Sequence, residues 1–144
     1  MTSQAEMSPE LSLGRSSPDT WLRLAQQKIS RLSQLTENWD SYGSRPVQQA
    51  AIEQASALLF KLANLNLPHP HIVPVPGGGI QLEFQQESRE LEIEILPDGL
   101  TEYLMVDKDG EMLEGSIHSG SPSDAKDDLY RLAHWLQEKQ VAAV

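Results

Sequence analysis

The stretch Ile80-Gln81-Leu82-Glu83-Phe84-Gln85, followed after a gap by Leu91-Glu92-Ile93-Glu94-Ile95, decides the fold of this chain. Both segments alternate apolar and polar residues with a period of two, the signature of strands with one face buried and one face wet. Gln86–Arg89 between them has the length of a hairpin connection. Closing it sets Leu82 opposite Ile93 and Phe84 opposite Leu91, keeping both apolar sets on one face. Pro97-Asp98-Gly99 suits a three-residue hairpin with Gly99 at a positive φ, and Lys108-Asp109-Gly110 repeats the pattern. The alternation then continues, with Tyr103 beside Ile93, Met105 beside Leu91, and Leu113, Gly115 and Ile117 on the following strand. Turns and alternations agree throughout, so the segment reads as an antiparallel meander.

On its N-terminal side, Ile72-Val73-Pro74-Val75-Pro76 reads as a short edge strand, because proline is barred from central ladders. Gly77-Gly78-Gly79 is a break, and Leu67-Pro68-His69-Pro70-His71 cannot be helical, since each proline pushes its predecessor toward extended backbone. Further out, Ser17-Pro18-Asp19 combines a capping hydroxyl, a proline at the first helical position and an acid in the first turn. Trp21, Ala25, Ile29, Leu32 and Leu35 make the apolar stripe of that helix. A turn-rich connector, Asn38–Ser44, separates it from a second helix opened by Pro46, with Val47, Ala51, Ala55, Leu58, Leu62 and Leu65 on one side. Beyond the meander, Ser121-Pro122-Ser123-Asp124 caps a last helix that turns Ala125, Leu129, Leu132 and Leu136 inward and pairs Asp127 with Arg131. The expected fold is α+β: a helical hairpin, an antiparallel meander of four to five strands, and a C-terminal helix packed on one sheet face. Residues 1–17 read as a flexible tail, and 18–144 as a single domain.

The charge is concentrated in the meander. Between Glu83 and Glu114 there are 11 acidic residues against Arg89 and Lys108, which gives −9 of the chain's −10. The register sets Glu83 opposite Glu92 and Glu94 opposite Glu102 on the outer face, where like charges are destabilising. Such a face serves either as a solvated, solubilising surface or as a docking surface for a basic partner. A hard-cation site is the third reading, but calcium wants six to eight oxygens from a wrapped loop, which a flat face does not offer.

Composition and short patterns exclude much else. With no cysteine there is neither a disulfide nor a thiolate metal site. The first residues, Met1–Glu10, lack the basic and apolar regions of a signal peptide, and no apolar run approaches a membrane span, so the expected location is cytoplasmic. A pI near 4.7 argues against direct binding of nucleic acid, whose phosphates are held through Lys and Arg. Asp107-Lys108-Asp109-Gly110-Glu111 begins like a calcium loop but lacks the twelve-residue frame, and a hairpin turn explains it. The triple glycine has no following Lys-Ser/Thr and precedes a strand, so it is no phosphate cradle. His69 and His71 lack nearby ligands, His118 and His134 have no assignable partner, and there is no Gly-x-Ser-x-Gly elbow. No catalytic residue, metal ligand or cofactor is assigned.

Asn38-Trp39-Asp40-Ser41-Tyr42-Gly43 is the most distinctive short string. Its Trp and Tyr either plug the core end, with Asn38 or Asp40 capping backbone donors, or stand exposed as an interface hot spot. Together with Gly78, Gly79, Ile80, Leu82, Glu83 and Phe84, this string resembles a group of short, uncharacterised bacterial proteins carrying Asn-Trp-Asp-x-Tyr-Gly and Gly-Gly-Ile-x-Leu-Glu-aromatic patterns. The resemblance spans roughly residues 30–105 and implies a shared fold without an activity. The element order and acidity are also similar, by analogy, to small secretion chaperones, antitoxins and immunity proteins.

The functional expectation is therefore a non-enzymatic acidic protein that masks a basic surface of a partner protein through Glu83, Glu92, Glu94, Glu102 and Glu114, with Trp39 and Tyr42 as further contacts. One alternative is a nucleic-acid mimic that inhibits a DNA- or RNA-binding protein. The other is a small metal-dependent enzyme using Glu83 or Glu92.

Overall fold

The computed structural model describes residues 17–117 and 122–138, with the side chains of 122–126 outside that description. The elements run α1 (Pro18–Leu32), α2 (Gln49–Leu62), β1 (His71–Val75), β2 (Gly79–Gln86), β3 (Arg89–Ile95), β4 (Thr101–Val106), β5 (Met112–Ile117) and α3 (Pro122–Gln137). The strands form one antiparallel sheet in the order β1-β2-β3-β4-β5, so the meander has five strands.

The register is the one the alternation dictates. Leu82 faces Ile93, Phe84 faces Leu91, Ile93 faces Tyr103 and Leu91 faces Met105. Gly99 and Gly110 take φ of 93° and 80°, and the two hairpins close through Leu96 N–H to Leu100 O (2.8 Å) and Asp107 N–H to Glu111 O (2.9 Å). Pro74 stands on an edge strand, where its missing N–H costs nothing.

All three helices cover the same sheet face. Trp21, Ala25 and Ile29 of α1, Ala51, Ala55, Leu58, Leu59 and Leu62 of α2, and Leu129, Leu132 and Leu136 of α3 share one core with Ile80, Leu82, Phe84, Leu91, Ile93 and Ile95. Ser17 caps α1 by accepting from the Thr20 N–H at 3.2 Å. Trp21, buried against the core, donates its indole N–H to the Leu67 and Pro68 carbonyls (3.0 and 3.2 Å) and stacks on His69. It thereby ties α1 to the chain leaving α2.

Two expectations are corrected. The helix opened by Pro46 begins three residues later, at Gln49. Val47 is buried and the Gln48 N–H donates to Gly78 O at 2.9 Å, so this segment is held extended against the β1–β2 turn. Arg131 pairs with Asp128 at 3.3 Å rather than with Asp127, and its guanidinium also covers the Tyr103 ring. The tail, apart from Ser17, and the Ser121 cap and His118 lie outside the described residues.

A candidate docking face on the open side of the sheet

Because side chains alternate across a strand, burial of Leu82, Phe84, Leu91, Ile93 and Ile95 sends their neighbours to the other face. The ladder sorts those neighbours into rows across the sheet. One row runs His71, Glu83, Glu92, Leu104, Glu114, and the next Val73, Gln81, Glu94, Glu102, Ser116. A third holds Gln85, Glu90, Val106 and Met112. The five glutamates expected from the sequence thus share one face, and Glu90 joins them. Glu83 faces Glu92 and Glu94 faces Glu102 directly.

Compensation of this charge is slight. Arg89 shares the parity of Leu91 and Ile93, so its side chain lies on the helical side. There it packs 4.7 Å from the centre of the Trp135 ring and donates to Trp135 O (2.7 Å), Asp107 (3.3 Å) and Glu138 (3.2 Å). It clamps the last turn of α3, where a cation also suits the helix dipole. Lys108 belongs to the β4–β5 turn. Among the described residues no Lys or Arg stands on the outer face. The groups that do meet its glutamates are His71, 3.3 Å from Glu83, and the Gln81 amide, which donates to Glu83 at 2.6 Å.

Burial, and then the neighbouring Glu83, Glu90 and Glu94, raise the Glu92 carboxyl above the usual carboxylate range. Glu92 stands next to Leu104, a half-buried apolar residue flanked on its other side by Glu114. Glu92, Glu94, Glu102, Leu104 and Glu114 line an open hollow of about 440 Å³. The face is therefore an acidic rim around a small apolar centre. Leu104 and Val106, which share the parity of Glu102 along β4, belong to this face too, and the register brings Met112 of β5 beside Val106.

Trp39 and Tyr42 are not on this face. They belong to the α1–α2 connector, which is organised by its own polar groups. Asn38, Ser41 and Gly43 all have positive φ (63°, 67° and 82°). The Asn38 side chain accepts from Gly43 N–H at 2.6 Å, and Asp40 accepts from Tyr42 N–H (3.0 Å), Ser44 N–H (3.3 Å) and the Ser44 hydroxyl (2.5 Å). That hydroxyl first, then the Tyr42 amide, hold the Asp40 carboxyl below its usual range. Trp39 is half-buried, outside the core, and donates to Arg45 O at 2.9 Å. The expectation that it plugs the core is corrected: Trp21 does so, while Trp39 braces its own loop. Tyr42 is 92% exposed.

Among the described residues, no group of three or more His, Asp or Glu is arranged to hold a metal ion, and no helix is long and apolar enough to cross a membrane. Compared with family models, curated proteins and solved structures, the chain matches none.

Proposed function

We propose that this protein is a non-enzymatic binding protein whose acidic sheet face masks a basic surface of a partner protein, in the manner of an antitoxin, an immunity protein or a chaperone. One observation carries the reading: six glutamates share the outer face, two pairs of them directly opposed, with no Lys or Arg among them in the described residues. Each opposed pair costs roughly 0.2–1 kcal/mol. Solubility alone is served more cheaply by mixing lysine or threonine into the same positions. A basic partner removes the repulsion on contact, and complementary charge accelerates encounter and fixes the choice of partner. The half-buried Leu104 supplies a small apolar centre inside a polar rim, the usual anatomy of a protein interface.

The test is affinity capture from the native host with two baits, the wild-type chain and a variant with Glu83, Glu92, Glu94, Glu102 and Glu114 all changed to Gln. The proposal expects a basic protein that the first bait retains and the second loses. Equal capture by both baits would return the face to a solubilising role. If the captured protein binds DNA or RNA and the chain displaces it from that nucleic acid, the partner surface is a phosphate-binding groove and the nucleic-acid mimic is the better description.

A further inference from the structure

The acidic face ends at a free strand. β5 pairs with β4 on one side, and among the described residues no strand pairs with it on the other. The bond from Asp107 N–H to Glu111 O makes that pair hydrogen-bonded. Antiparallel ladders alternate hydrogen-bonded and non-hydrogen-bonded pairs. Leu113, Gly115 and Ile117 therefore spend their backbone groups on β4, while Met112, Glu114 and Ser116 turn theirs to the open edge. The opposite edge, β1, carries Pro74 within the strand and Pro76 just after it, a common way to blunt an edge. β5 has no proline and no lysine, and its one charged residue is Glu114.

Its side chains also look unfinished. Leu113 lies on the helix-covered side of the sheet yet is 68% exposed, and Met112 on the acidic side is 66% exposed. Two adjacent positions, Gly115 and Ser116, are small. Gly115 lets the Tyr103 ring lie against the strand, since a Cβ there would come 2.5 Å from the Tyr103 hydroxyl oxygen. Ser116 stands beside Glu102 and leaves it reachable from the edge.

We propose that β5 receives an extended segment of the basic partner as a sixth strand, with Lys or Arg on alternate residues and β-branched residues between them. This rests on the docking function proposed above and adds its mode. Strands lie about 4.8 Å apart. A basic side chain opposite Glu114 meets that carboxylate directly, and one opposite Ser116 extends over the small serine to Glu102. The intervening apolar residues cover Leu113 and the Tyr103 ring. A second copy of this chain is a poor occupant, because a continuous sheet formed through β5 sets two acidic faces side by side.

The probe is a fluorescein-labelled peptide, Thr-Lys-Val-Arg-Val-Lys-Thr, titrated by anisotropy against the full-length chain at low salt. Two further peptides carry N-methyl groups on one or the other alternate set of backbone nitrogens. An added strand offers only one set to β5, so one methylated peptide should lose about tenfold or more in affinity while the other binds like the parent. Ser116→Pro, which deletes an edge N–H without touching charge or the β4 ladder, should cause a similar loss with the melting transition retained. The five-Gln variant should weaken binding as well.

Equal binding of both methylated peptides overturns strand addition. If the five-Gln variant still weakens them, the acidic face keeps its docking role without this mode. Failure of the parent peptide to bind, while the partner protein still depends on the five glutamates, likewise overturns strand addition alone. Peptide binding indifferent to the five-Gln change overturns the choice of a basic strand. A wild-type dimer that Ser116→Pro converts to monomer assigns the edge to a second copy and overturns it too.

Discussion

Glu92→Lys and Ile93→Asp, adjacent changes on opposite faces of one strand, should have opposite effects. Ile93 is fully buried between Leu82 and Tyr103. Truncating such a residue costs about 2–5 kcal/mol, and a buried carboxyl without a partner adds a polar penalty of about 1–3 kcal/mol. A domain of this kind has about 5–15 kcal/mol in all, so Ile93→Asp should be near or past unfolding at neutral pH. Glu92 faces Glu83 and sits near Glu90 and Glu94. Lysine there converts three repulsions into attractions, each worth roughly 0.2–1 kcal/mol before the screening that half-exposure allows. The expected net gain is about 1 kcal/mol, or roughly 3 °C in melting temperature. Urea titrations of both variants at low and high salt supply the assay. Salt should stabilise the wild type by screening its glutamates and do much less for Glu92→Lys. A folded Ile93→Asp beside a strongly destabilised Glu92→Lys would refute the face assignment. A wild type that salt leaves unchanged would refute the repulsion argument.

Further expectations follow from other contacts. Gly115→Ala should cost about 1–3 kcal/mol by pressing a methyl group against the Tyr103 ring, and Tyr103→Leu in the same chain should recover part of it; equal stabilities would show that the ring does not hold its place. Arg89→Met should loosen α3, with faster amide exchange over residues 129–137, since it removes the bond to Trp135 O and two ion pairs; unchanged exchange would remove the clamp. In a chain with Trp21 and Trp135 changed to Phe, Trp39 emission should lie between buried and free indole, and Trp39→Ala should cost less than the about 3–5 kcal/mol of a core tryptophan. The pH profile has two opposed parts. A raised Glu92 binds its proton more tightly folded than unfolded, so its penalty is full at neutral pH and eases as pH falls through the raised value. Asp40 and Asp107, both lowered, contribute stability above the ordinary carboxylate range and lose it as pH falls through their folded values. Glu92→Gln should remove the first part alone, and a profile that keeps it would assign it elsewhere.

Most of the fold was legible because period-two alternation and turn chemistry are local. Gly99 and Gly110 fixed two hairpins, and those fixed the faces of every residue between them. The Ser17-Pro18-Asp19 helix start was equally local. What escaped depends on contacts distant in sequence. Pro46 reads as a helix opener, and the tether that delays the helix is a bond from Gln48 to Gly78, thirty residues on. The burial of Trp21 is legible from the apolar stripe of α1, but the bonds that fix its indole, to the carbonyls of Leu67 and Pro68, are not. Arg89 and Leu104 are different cases. The parity that places one among the helices and the other inside the acidic face is present in the sequence, but a sum of charges does not contain it.

The acidic face as a docking surface is tested most directly by the association rate of the captured partner across salt. Between ~50 and ~500 mM the Debye length falls from roughly 14 Å to about 4 Å. The wild-type chain should associate markedly more slowly at the upper end, while the five-Gln variant, still folded, should bind weakly and with little dependence on salt. Equal rates, affinities and salt slopes for the two chains would contradict the account.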